Sequence, residues 1–135
     1  MINANNHTIP KIVSTKPFIF KIALIICFIL ISYLVFSQPN YTPYWIPYFD
    51  KLAHFGSFFL LAYLAYFAFK PSYYTLATIL VLYAIAIEVV QSLLPYRSAS
   101  FGDLIADFIG MLCFYLFHLA CCQYTTKMNK ISSKH

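Results

Sequence analysis

The sequence predicts an all-α fold, a four-transmembrane-helix bundle with both termini cytoplasmic. Three observations lead there. Hydrophobic residues make up 61% of the 135 and charged residues only 10%. A soluble domain carries about a quarter charged residues, so polar surface here is too scarce to cover a globule in water. The apolar residues gather in four runs, each close to the ~20 residues that cross a bilayer core as a helix. The basic residues divide unevenly between alternate connections, as they do in proteins with a fixed membrane orientation.

The elements follow in order. Residues 1–17 form a polar cytoplasmic tail. The first span, 18–36, is unbroken apart from Lys21, which lies near its start and can extend its ammonium to the interface. Val35-Phe36-Ser37 carries small or modest residues at the positions a signal peptidase tests, and cleavage there would leave three spans. The length of the run and the lack of Ala-x-Ala favour a retained helix, and intact mass distinguishes the two. The link to the second span holds Pro39, Pro43 and Pro47 with Tyr41, Tyr44, Trp45 and Tyr48, a composition suited to lying along the headgroups. The second span is 52–69. Lys70-Pro71-Ser72 leaves room for a tight hairpin only, and Pro71 stops the incoming helix. The third span is 73–94 and the fourth 104–122, joined by the polar link 95–103. Residues 123–135 form a second polar, mobile tail. The domain is thus 18–122. The alternation of a membrane β-barrel is absent.

Orientation comes from the bases. With the N-terminus inside, Lys11, Lys16, Lys21, Lys70, Lys127, Lys130 and Lys134 fall on the cytoplasmic side, and only Lys51 and Arg97 on the other. Seven against two is a clear positive-inside bias. The net charge of +5 resides mainly in the tails. It suits anionic lipid headgroups better than nucleic acid, which is not expected as a partner.

On this topology all four acids of the chain, Asp50, Glu88, Asp103 and Asp107, fall at the outer end. Glu88 lies roughly 9 Å below the end of the third span, at 1.5 Å rise per residue. Asp50, His54 and Ser57 share a stripe on the second helix. Ala77, Ala84, Glu88 and Gln91 share one on the third, and Asp103, Asp107 and Gly110 on the fourth. Each stripe passes from polar to small residues, which let membrane helices approach closely. Turned toward one another, the three make a polar pocket above tight packing. An unpaired charge in lipid is costly, so Glu88 is expected to be protonated or paired with Lys51, Arg97 or His54.

Other chemistries are weaker. His54, Glu88, Asp103 and Asp107 are metal-ligand types, but no HExxH signature is present, and Lys51 and Arg97 nearby lower the need for a cation. No metal and no cofactor are expected. Ser98 or Ser100 with His54 lacks a nucleophile elbow. Cys27, Cys113, Cys121 and Cys122 have no zinc spacing and read as small apolar filler. His118 reads as a cationic neighbour of the last helix C-terminus. The many Tyr and Phe residues read as packing and interface anchors.

Asp50-Lys51-Leu52-Ala53-His54-Phe55, Glu88-Val89-Val90-Gln91, Pro95-Tyr96-Arg97-Ser98-Ala99-Ser100 and Asp103 through Asp107 to Gly110 together resemble the VanZ-like family of small bacterial membrane proteins. The resemblance covers about 50–117. The family pattern is a DKxxHF start, an ExxQ, a pxRsxs loop, and DxxxN or DxxxD followed by Gly. No single motif is specific; their order and spacing carry the match. Asp107 stands where many members have Asn, and Tyr96 where Gly is common. The resemblance implies a cell-envelope protein related to the founding teicoplanin-resistance member.

Three readings of function follow. In the first, Lys51 and Arg97 meet the anionic part of a lipid-linked envelope precursor, Arg97 through its bidentate fork. His54, Glu88 and Asp103 position polar groups or move a proton, supported by Asp107 and Gln91. In the second, His54 and Glu88, with Asp103 as a further candidate, are acid and base of a membrane-embedded hydrolase or transferase. In the third, the cluster only holds helices together in a non-catalytic subunit. The sequence sets no oligomeric state.

Overall fold

The structure is a computed structural model that describes residues 16–37 and 49–132. The proline- and aromatic-rich link expected along the headgroups, the N-terminal tail before Lys16 and the last three residues lie outside the described residues. Four helices account for nearly everything described: α1 Lys16–Phe36, α2 Phe49–Phe69, α3 Tyr73–Leu93 and α4 Phe101–Ser132. All four are long and apolar enough to cross a membrane, and the described residues contain no strand.

The hairpin between α2 and α3 shows how sequence sets the turn. Lys70 takes a left-handed conformation with φ 50°, and its amide donates back to Tyr66 O at 2.7 Å, the usual way to close a helix C-terminus. Pro71 has no amide to continue the ladder. Ser72 then caps α3, its hydroxyl accepting from Thr75 N at 3.1 Å.

Three boundaries differ by three residues or more from the sequence expectation. α2 and α4 each begin three residues before the apolar run, so Asp50 and Asp103 lie in first turns, where a negative charge favours the helix dipole. α4 continues to Ser132 instead of giving way to a tail at 123. The polar residues there end the apolar run but not the helix, because neither Gly nor Pro occurs after Gly110 and Gln, Lys and Met propagate helix well. At 1.5 Å per residue α4 is about 48 Å long against about 32 Å for each of the others.

α2 is the hub. It packs most extensively against α4, then against α1, and more lightly against α3. α1 is peripheral: 6% of its span is buried against 33% for α2, and Ile22, Ile25, Ile29 and Leu34 are exposed, as residues facing lipid are. A polar tie crosses from it to α3, where Ser32 Oγ and Tyr83 Oη share a hydrogen bond of 2.8 Å.

The α2–α4 contact depends on one glycine. A Cβ at Gly110 would strike Phe55 O and come within 3.1 Å of Phe59 N. Both are backbone atoms and cannot swing aside. Small residues permit this approach in membranes. The core formed around it includes Phe58, Leu61, Ile87, Met111 and Phe114. It closes the bundle beneath the acids, since Phe58 lies four residues after His54, Ile87 precedes Glu88, and Met111 lies four residues after Asp107.

Candidate functional site

α2 and α4 bring their N-terminal turns, and α3 its C-terminal turns, to one end of the bundle. The polar stripes there face inward. His54, Gln91, Asp103 and Asp107 are buried at 5%, 3%, 1% and 0% exposure, which for two acids in a membrane chain requires partners.

Two contacts join α2 to α4. His54 Nδ1 lies 3.0 Å from Asp107 Oδ1, with both side chains solvent-excluded. One turn nearer the end, Lys51 Nζ donates to Asp103 Oδ1 at 3.0 Å and lies 3.5 Å from Ser100 Oγ. Its side chain is 41% exposed, so this pair forms the accessible rim above the buried one. Gly102 leaves room for it, because a Cβ there would come within 2.9 Å of Lys51 Nζ.

Glu88 joins from α3, but not through a base. Its Oε2 accepts from the backbone amide of Ser100 at 2.8 Å. Ser100 is the residue that starts α4, its carbonyl accepting from Asp103 N and Leu104 N, so Glu88 ties the end of α3 to the beginning of α4. Ligand atoms of His54, Glu88 and Asp107 lie within 4.8 Å of one another, as do those of Asp50, His54 and Asp103. The three-helix convergence expected from the stripes is present. Glu88 Oε1 and Asp107 Oδ2 are buried without a hydrogen-bond partner among the described residues.

Arg97 and Gln91 are placed elsewhere. Arg97 Nη2 donates to Leu34 O at 2.8 Å and Ser37 O at 2.9 Å, and Gln91 Nε2 to Val35 O at 3.3 Å. Tyr96 Oη donates to Phe36 O at 3.3 Å. Together they satisfy the orphan carbonyls at the C-terminus of α1, and the guanidinium also suits the negative end of that helix. The sequence reading, which had Arg97 meeting a ligand anion beside Lys51, had no means of seeing these carbonyls.

His118 is also corrected. It stands well inside α4, not at its end, and Tyr66 packs against its ring at 4.4 Å between centroids. Tyr73 Oη is 2.7 Å from its Nδ1.

Chemically, the cluster can do two things. Its rim offers a solvent-reachable ammonium, Lys51, and an exposed carboxylate, Asp50. Its interior offers a histidine oriented by a carboxylate, the arrangement that fixes which ring nitrogen holds a proton. Asp50, left outside the expected ligand set, belongs to the site; its i, i+4 spacing to His54 was the available signal. The Ser100 amide was missed because backbone donors leave no mark in residue type.

No curated protein and no solved structure matches the chain. The VanZ/LLP1 family model matches residues 2–122, extending beyond the motifs of 50–117 to the first helix and the residues before it, and on that match the chain belongs to the VanZ/LLP1 family.

Proposed function

We propose that this VanZ-like protein sits in the bacterial cytoplasmic membrane with its polar end outward, where it binds the anionic head of a lipid-linked envelope molecule. The observation that carries this is the layering of the site: an exposed Lys51 on the rim, above His54 and Asp107 buried beneath it. Lys51 exchanges its contact with Asp103 for the incoming anion. The N-termini of α2 and α4 open at the same end and favour negative charge. Arg97 and Gln91 act indirectly, by holding α1 against the site. The outward placement is supported by the seven-to-two distribution of bases. The role is of the glycopeptide-resistance type implied by the family resemblance.

One observation favours a second reading, catalysis on such a lipid. A buried histidine paired with a carboxylate at 3.0 Å is how proteins orient an acid–base imidazole. Glu88 would be the second proton-handling group.

The test is teicoplanin susceptibility of a Gram-positive host expressing the protein, beside Lys51→Ala and Glu88→Gln at matched membrane levels. Reduced susceptibility that both substitutions abolish supports the proposal. No shift with well-folded protein rejects the resistance role. Turnover of a labelled envelope lipid, lost in Glu88→Gln, selects the catalytic reading over binding alone.

A further inference from the structure

We propose that His54, Glu88 and Asp107 form a site for a divalent transition-metal cation of the Mn2+ or Zn2+ type, enclosed in the polar end of the bundle. The sequence spoke against a metal on two grounds: it holds no HExxH signature, and two bases, Lys51 and Arg97, lower the need for a cation. The geometry removes the second. Arg97 is committed to the carbonyls of Leu34 and Ser37. Lys51 is committed to Asp103 on the rim. Among the described residues, no Lys or Arg side chain lies within hydrogen-bond distance of the inner carboxylates: Asp107 meets the His54 ring and Glu88 the Ser100 amide.

The second observation is independent of the charge count. Asp107 is fully buried, and its Oδ2 has no hydrogen-bond partner among the described residues; nor does Glu88 Oε1. Buried carboxylate oxygens are rarely left so. Both belong to residues whose ligand atoms converge with those of His54 within 4.8 Å, from three different helices. A cation at that convergence satisfies the orphaned oxygens, offsets two negative charges in a low-dielectric setting, and locks α2, α3 and α4 together.

The donor set points to the class of ion. One imidazole and two carboxylates suit Mn2+ or Zn2+, whereas Ca2+ takes six to eight oxygen ligands and Mg2+ keeps most of its water. Asp107 Oδ1 and His54 Nδ1 stand 3.0 Å apart, about the separation of two donor atoms that each bind one ion at ~2.1 Å, so the ion would take the place of the hydrogen bond between them. The outer trio of Asp50, His54 and Asp103 is less suited, because the Lys51 ammonium already occupies Asp103 and Asp50 is exposed.

The site does not depend on the lipid reading, and its test uses no lipid substrate. The full-length chain, purified without a histidine tag and stripped of metal, is titrated with Mn2+ and followed by electron paramagnetic resonance. Saturable binding of one Mn2+ per chain is expected, with nitrogen coupling from a coordinated imidazole. His54→Gln should remove that coupling and weaken binding about tenfold or more. A triple variant, His7→Ala, His118→Ala and His135→Ala, should keep both. Absence of saturable binding by the native chain overturns the proposal, whether or not the variants fold. So does nitrogen coupling that survives in His54→Gln or disappears in the triple variant.

Discussion

The two ends of the bundle each hold a histidine on a helix–helix contact, and they use it differently. At one end His54 stands among four acids and a lysine, its ring 3.0 Å from Asp107. At the other His118 lies among Tyr66, Phe67, Tyr73 and Phe114, with a tyrosine hydroxyl as its polar partner. The aromatic end joins helices through rings and a hydroxyl–imidazole hydrogen bond at a partly exposed position, whose failure is cheap. The charged end joins the same helices through buried ionisable groups, whose loss leaves a partner stranded. A bundle built for stability alone has no need of the second solution, since apolar packing serves as well or better than buried ion pairs. The contrast is what the proposed function at the charged end rests on.

Substitutions can break that contrast. His54→Ala removes the partner of a fully buried Asp107 and should cost about 3–5 kcal/mol, the range for breaking a buried pair; thermal unfolding in detergent measures it. Gly110→Ala puts a methyl group into the backbone of α2 just below the site, and overpacking of this kind costs about 1–3 kcal/mol. It should lower the unfolding temperature without touching a single charge. His118→Ala loses one hydrogen bond and several ring contacts at a half-exposed position, about 0.5–1.5 kcal/mol. If His118→Ala proved as damaging as His54→Ala, the two ends would be equivalent and the assignment of function to one of them would fail.

The sequence made the helices legible because a bilayer demands long apolar runs, and the hairpin because Lys70-Pro71-Ser72 is too short for anything else. It made most of the polar cluster legible as well. In a chain with four acids, helical spacing alone turns Asp50, Asp103 and Asp107 toward His54. What it hid depended on backbone. Glu88 finds the Ser100 amide and Arg97 the carbonyls of α1, and neither partner has a residue-type signature. Of the three bases offered as partners of Glu88, Arg97 is instead engaged by the end of α1. The end of α4 was hidden for another reason: hydropathy reports where an apolar run stops, and the helix runs past it.

The most direct test of the account is binding of a polyprenyl phosphate to the protein in nanodiscs, measured for the native chain and for Lys51→Ala against phosphatidylcholine as the neutral control. Lys51 is half-exposed on the rim but its partner Asp103 is buried, so the variant is compared at matched amounts of folded protein, checked by thermal unfolding. The account predicts saturable binding of the anionic lipid that weakens about tenfold when the charged contact is lost. Binding no tighter than that of the neutral lipid, or binding unchanged in Lys51→Ala, would contradict it.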